Sequence, residues 1–165
     1  LTHHWGSDLA DGWVWAHCNH WHEQEDIVFE GVNARTRLGP FALPSMTTLH
    51  VRIPGERFNV NGLLEMVRTE SRVNGLSWRV TGVHRDRRVE VSFQASPERF
   101  VGVDQVAPDG RVMHVVTSAV ADGSITVSGR HGRGWTPIFS AVSDQSAFLQ
   151  FGTRGDTHGV PVMLR

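Results

Sequence analysis

The chain has 165 residues, which is enough for one domain that buries most of its surface without disulfides or metal ions. Its formal net charge is −1 at pH 7, so the charge balance does not predict a nucleic acid or another polyanion as partner. The single cysteine, Cys18, excludes an internal disulfide, and no apolar run approaches the roughly 20 residues that a transmembrane helix needs.

The first predicted strand runs from Trp13 to Trp21 and alternates between two faces. One face carries Trp13, Trp15, His17, Asn19 and Trp21. The other carries Val14, Ala16, Cys18 and His20. In a small barrel one face of each strand lines the interior, so we expect the tryptophan face to point inward.

The period-two pattern continues along the chain. Further predicted strands are Ile27 to Asn33, Met46 to Ile53, Arg57 to Asn61, Leu63 to Arg68, Leu76 to His84, Arg88 to Ala95, Phe100 to Val106, Val112 to Ser118 and Ser124 to Gly129. Turn signals between them include Pro54-Gly55, Asn61-Gly62, Asn74-Gly75, Pro108-Asp109-Gly110 and Asp122-Gly123. The one segment with a helical pattern is Ser140 to Gln150.

Many short strands joined by hairpin turns predict a single all-β domain over residues 1–165, an antiparallel meander closed into a barrel or a sandwich. We favour a barrel, because closure removes the edges that a long meander would expose.

The histidines beside the tryptophans raise the question of a metal site. His20 and His22 lie on one face of the predicted strand, the local geometry that many metal sites use. A third ligand would have to come from His50, His84 or His114, and no acidic or histidine motif follows at a suitable spacing. We therefore predict solvated histidines at a strand end and no metal.

The segment from His3 to Trp21 resembles the start of the C-terminal half of the tocopherol cyclase family. The matching residues are Trp5-Gly6-Ser7, Trp13, Trp15, Asn19 and Trp21. The later segments IVFEGVN, LHVRIPGERFNVNG, LSWRVTG and VEVSFQASPERFV are similar in order, whereas the tail after Arg130 departs from the family pattern.

This resemblance implies a lipocalin-like barrel from a group that includes carotenoid hydratases and ring-forming enzymes. It implies an apolar, isoprenoid-like ligand and packing against an N-terminal lipocalin-like half that is not in this sequence. We expect no cofactor. The ligand would contact Trp13, Trp15, Trp21 and Trp78. With no sign of an oxidising compartment, we take the cytoplasm as the default location.

Cyclisation or hydration of such a ligand requires a general acid that protonates a double bond. Glu30 is the candidate acid, because it lies in the apolar run Ile27 to Val32, where a desolvated carboxyl would have a raised pKa. His17 and Asn19 are the candidate orienting groups. Glu65 and Asp104 are further acids that would equally suit a solvent-facing position.

Two other functions fit the same residues. The tryptophans, with His17 and Asn19 hydrogen-bonded to backbone carbonyls, would also fill an ordinary core. The domain would then be a structural partner of the missing half. In the other alternative, the same barrel is a non-catalytic carrier that only sequesters the apolar ligand. An acidic residue in the ligand wall favours an enzyme over a carrier, which gains nothing from one.

Overall fold

The structure is a computed structural model that describes residues 10–22, 24–106, 110–155 and 158–164. These residues are dominated by β-strands. The strands are β1 (Ala10–Cys18), β2 (Val28–Leu38), β3 (Phe41–Ala42), β4 (Met46–Ile53), β5 (Glu56–Val60), β6 (Glu70–Asn74), β7 (Ser77–His84), β8 (Arg87–Gln94), β9 (Val101–Val106), β10 (Val112–His131), β11 (Gly134–Thr153) and β12 (Val162–Leu164). One short helix, α1 (Leu63–Arg68), and a 3₁₀ turn, Pro97–Arg99, complete the described elements.

The strands form one antiparallel meander-like sheet in the order β5-β4-β2-β1-β11-β10-β8-β7-β6. Its centre is the hairpin of β10 and β11, each 20 residues long. β9 pairs with the first half of β10, and β12 pairs with β9 in parallel. The all-β prediction is therefore confirmed.

The two ends of the sheet face each other across a seam instead of joining. The end strands β5 and β6 are not paired by backbone hydrogen bonds, and α1 connects them along the chain. Closure into a barrel is therefore not confirmed. Side chains span the seam: Arg87 Nε donates to Glu56 Oε2 at 3.1 Å, and the rings of Phe58 and His84 lie 6.0 Å apart.

The inner face of the curled sheet holds the core. Its centre is a cluster of four rings with centroids 5.1 to 6.4 Å apart, formed by Trp21, Phe29, Trp78 and Phe93. Small residues make room for these rings: a Cβ atom at Gly31 would lie 2.7 Å from Phe29 Cζ and 2.9 Å from Trp78 Cη2.

The orientation expected for the first strand is wrong. In β1 the small side chains of Val14, Ala16 and Cys18 are buried against the core, whereas Trp13 and Trp15 are half-buried on the outer face. The alternation was recognised correctly, but it does not indicate which face lies inside. β1 also ends at Cys18, so Trp21 lies beyond the strand, is buried in the core and does not share a face with Trp13.

Five predicted strands match the structure to within one residue at each end. They are Met46 to Ile53, Arg57 to Asn61, Leu76 to His84, Arg88 to Ala95 and Phe100 to Val106. The turn predicted at Pro108-Asp109-Gly110 lies largely outside the described residues.

Three other predictions of secondary structure are wrong. The strand predicted at Leu63–Arg68 is helix α1, which begins after Gly62, whose backbone N–H donates to Glu65 Oε2 at 3.4 Å. The helix predicted for Ser140 to Gln150 is part of β11, because β1 and β10 pair with it on both sides. Asp122-Gly123 is not a turn but a register irregularity inside β10, where Asp122 Oδ1 accepts the backbone N–H of Gln145 at 2.9 Å.

Candidate functional site

The strand register brings the predicted acid and one predicted orienting group together. Glu30 on β2 lies directly opposite His17 on β1 and, on its other side, opposite His50 on β4. Directly paired residues have Cβ atoms about 4.5–5.5 Å apart. On the far side of β1, His17 pairs with Phe148 of β11. A row of titratable and aromatic residues therefore crosses four strands on the outer face.

Two tryptophans continue this row along β1. The ring of Trp15 packs 4.7 Å from that of Phe148. Trp13 lies over Gly152, where a Cβ atom would come within 2.4 Å of the indole, and its Nε1 donates to Gln150 Oε1 at 3.1 Å. We call Trp13, Trp15, His17, Glu30 and Phe148 the outer aromatic strip.

The polar edge of Trp15 is not satisfied in the described part of the chain. Its Nε1 is inaccessible to solvent and has no hydrogen-bond partner among the described residues, although the ring as a whole is half-buried. A buried donor without a partner costs about 1–3 kcal/mol. The outer aromatic strip therefore combines apolar surface with one indole N–H, that of Trp15, that donates no hydrogen bond to a described residue.

Glu30 is not inside the core, contrary to the expectation from its apolar run. Ile27 and Phe29 point inward and are fully buried, whereas Val28, Glu30 and Val32 alternate onto the outer face and are half-buried. The run is apolar on both sides because this part of the outer face is itself apolar. The Glu30 carboxyl is therefore accessible from the outer face of the sheet and not from the core.

The other predicted site residues do not join the strip. Asn19 follows the end of β1 and is exposed. Trp21 and Trp78 lie on the opposite side of the sheet, at most 1% exposed, and Trp78 Nε1 donates to Ser71 Oγ at 2.9 Å. The four tryptophans expected to contact a ligand therefore do not share a face: Trp21 and Trp78 belong to the core, and Trp13 and Trp15 belong to the outer strip.

The two further candidate acids are each paired with a histidine. Glu65 Oε1 lies 2.8 Å from His84 Nδ1, and this hydrogen bond lowers the pKa of Glu65. A lowered pKa suits an anchoring carboxylate better than a general acid at neutral pH. Asp104 Oδ1 lies 2.6 Å from His114 Nδ1, across the pairing of β9 with β10.

Among the described residues, His20, His22 and Cys18 do not form a reactive centre. His20 and His22 are exposed, with ring centroids 6.5 Å apart, and no group of three potential metal ligands occurs within the described residues. Cys18 is buried 3.3 Å from Ser143 Oγ, and burial raises the pKa of its thiol. A raised pKa opposes a role as a nucleophile.

Phe148 is the strip residue that the sequence did not reveal. It lies in the segment predicted as a helix, so the sequence pattern does not assign it to either face of a strand. With that segment treated as a strand, Phe148 falls on the same face as Gln150, and pairing with β1 then places it next to His17.

Comparisons with known proteins identify no relative. No family model matches the chain, and neither a curated protein nor a solved structure is similar to it. Within the described ranges, none of the helices has the length and apolar character of a membrane span.

Proposed function

We propose that this domain binds an apolar, isoprenoid-like ligand along the outer aromatic strip and contributes to its cyclisation or hydration by protonation. This is the activity that the resemblance to the tocopherol cyclase family implies. The observation that carries the proposal is the placement of Glu30 directly opposite His17, on the sheet face that also carries Trp15. An acid, a proton acceptor and an aromatic side chain thus share one surface.

The proposed step begins with the Glu30 carboxyl, which donates a proton to a carbon–carbon double bond of the ligand. The positive charge that develops on the neighbouring carbon is stabilised by the face of an indole ring such as that of Trp15. A hydroxyl of the ligand then attacks the cation in cyclisation, or a water molecule attacks it in hydration. The proton released by that oxygen returns to the Glu30 carboxylate, directly or through His17.

Such a step requires the exclusion of bulk water from the cation. The strip residues are half-buried in this domain, so a second surface has to cover them. The lipocalin-like partner half that the resemblance implies would serve as this cover. The ligand would then lie between two domains, a common position for binding sites.

One observation favours a second candidate function, a structural module that binds no ligand. The four-ring core cluster occupies the inner face, and its two tryptophans are almost fully buried. In that case Trp13 and Trp15 would only pack against another domain, and no ligand would be bound.

Binding is tested by titrating the protein with geranylgeraniol, an isoprenoid alcohol, and following tryptophan fluorescence. We expect saturable binding that Trp15→Leu weakens about tenfold or more, since an aromatic contact of this size contributes on the order of 1–2 kcal/mol. The matched control is Trp135→Leu, which removes a half-buried tryptophan at the tip of the β10–β11 hairpin. Equal affinity of the two variants would refute the assigned site.

The chemical role is tested separately with Glu30→Gln. In a protein that also contains the covering half, incubation with geranylgeraniol in D₂O should place solvent deuterium in the product, and the variant should bind the alcohol normally without labelling it. Normal labelling by the variant would exclude Glu30 as the acid, and binding without any labelling by the native protein would support the carrier function.

A further inference from the structure

Two pairs of arginines face each other directly across neighbouring strands. Arg52 on β4 pairs with Arg57 on β5, and Arg72 on β6 pairs with Arg79 on β7. All four side chains are exposed. Like charges directly opposite in an antiparallel pair destabilise the sheet, so this arrangement needs a compensating reason.

The two pairs lie on either side of α1, at the two ends of the sheet. The hairpin β4–β5 precedes α1 and the hairpin β6–β7 follows it. Arg68 in the last turn of α1 and Arg85 in the β7–β8 turn are also exposed. Six exposed arginines thus lie on α1 itself or on the hairpins that precede and follow it along the chain, and α1 packs against one strand of each hairpin, β4 and β7.

These six arginines form no ion pair with any described residue. Four of the acidic groups in this part of the chain are engaged elsewhere: Glu56 and Asp86 with Arg87, Glu65 with His84, and Glu90 with Arg88. Glu70 is the remaining acid between residues 52 and 90. The near-neutral chain therefore carries a local excess of positive charge around the seam.

The helix at the centre of this charge exposes apolar side chains. Leu63 and Leu64 are 65% and 68% exposed, and Val67 is 45% exposed. Met66 points to the core instead, and the pairing of Glu65 with His84 fixes α1 to β7. The exposed side chains are therefore held outward on an anchored helix. We call these three residues and the six arginines the seam patch.

We propose that the seam patch docks the protein on an anionic lipid membrane. Arginines would meet the lipid phosphates, each contributing to attraction near a negatively charged surface. The two leucines and the valine would enter the boundary between headgroups and acyl chains, as the apolar side of an interfacial helix does. A nucleic acid or an acidic protein would satisfy the arginines but would leave the leucine pair without an apolar environment.

The position of the seam gives this docking a consequence. α1 lies where the sheet is not closed by backbone hydrogen bonds, so the open seam of the curled sheet would face the membrane. An apolar molecule dissolved in the bilayer would meet the protein at that line. Docking itself does not depend on the outer aromatic strip or on its proposed ligand.

The test is co-sedimentation of the purified protein with vesicles. We expect binding to vesicles of phosphatidylcholine mixed with phosphatidylglycerol, weak binding to phosphatidylcholine alone, and release at high salt. The variant Arg72→Gln/Arg79→Gln should weaken binding about tenfold or more. Leu63→Ser/Leu64→Ser should also weaken binding without changing its dependence on salt.

Controls are available on the same chain. Arg35 and Arg37 are exposed on β2 beyond its pairing with β4, so their replacement by Gln tests a basic site away from the seam. Phe41, 72% exposed, provides an apolar control when replaced by Ser. Thermal unfolding of each variant confirms that it folds, and we expect Arg72→Gln/Arg79→Gln to be at least as stable as the native protein.

Three outcomes would overturn the proposal. One is equal binding to neutral and anionic vesicles. Another is equal loss of binding in the seam and control variants. The third is binding to soluble heparin that the leucine substitutions leave unchanged and that vesicles do not compete with, which would assign the patch to a soluble polyanion.

Discussion

The two faces of β1 differ in a way that reverses the usual relation between size and burial. Its inner face carries Val14, Ala16 and Cys18, all at most 2% exposed, and its outer face carries Trp13 and Trp15, which are half-buried. Large apolar side chains ordinarily occupy the core. Here the core is filled by rings from other segments, above all Trp21 and Trp78, which need small neighbours on β1 and β2.

This difference separates tryptophans that stabilise the fold from tryptophans available to a ligand. The inner pair is almost fully buried and contacts other core rings, whereas the outer pair is only half-buried. Substitutions on the two faces should therefore have different effects, large on stability inside and large on binding outside.

The largest effect is expected for Trp78→Ala. Removal of a fully buried indole leaves a cavity beside Phe29 and Phe93 and should lower the free energy of unfolding by about 3–5 kcal/mol. Trp13→Ala, its counterpart on the outer face, should cost about 1–2 kcal/mol. Chemical denaturation of both variants gives the comparison, and similar losses would mean that the two faces are equally buried.

A smaller loss is expected for Gly31→Ala on the inner face. The added methyl group would meet Phe29 and Trp78 at less than 3.0 Å, and overpacking of this kind costs about 1–3 kcal/mol. At Gly134 the nearest heavy atom to a new Cβ is 3.8 Å away, so Gly134→Ala should change stability by less than about 0.5 kcal/mol. If the two substitutions were equally harmless, the inner face would not be tightly packed.

The smallest effect on stability is expected for the hydrogen bond between Glu65 and His84, which fixes α1 to β7. The pKa of Glu65 is lowered chiefly by its hydrogen bond to His84, so the contribution of this pair to stability is present above the ordinary pKa of 4.5 and is lost as pH falls through the lower folded-state pKa. Glu65→Gln should therefore melt at a slightly lower temperature than the native protein at pH 6. The two melting temperatures should converge in acid, and an unchanged difference down to pH 3 would contradict this contribution.

The sequence was sufficient to predict the all-β class and several strands, because their alternation and turn residues are local properties. It was not sufficient for the orientation of β1, since alternation separates two faces without identifying the inner one. The helix at Leu63–Arg68 was missed because its contacts, such as Glu65 with His84, join residues 19 positions apart. Closure of the sheet depends likewise on how distant strand ends meet.

The candidate site likewise divides into residues that local patterns identify and residues that only long-range pairing reveals. Glu30, His17, Trp13 and Trp15 were identified from the sequence, and their proximity follows from the pairing of β1 with β2. Phe148 and the seam patch were not found, because the former depends on long-range pairing and the latter is hidden by a net charge of −1. Overall charge does not reveal arginines gathered at one side of a molecule.

The most direct test of the division between inner and outer tryptophans is NMR of the six indole N–H groups during titration with geranylgeraniol. The resonances are assigned by single Trp→Phe variants. We expect the resonances of Trp13 and Trp15 to shift with saturation, and those of Trp21 and Trp78 to remain where they are. Shifts confined to Trp21 and Trp78 would place the ligand inside the curled sheet and contradict the outer site.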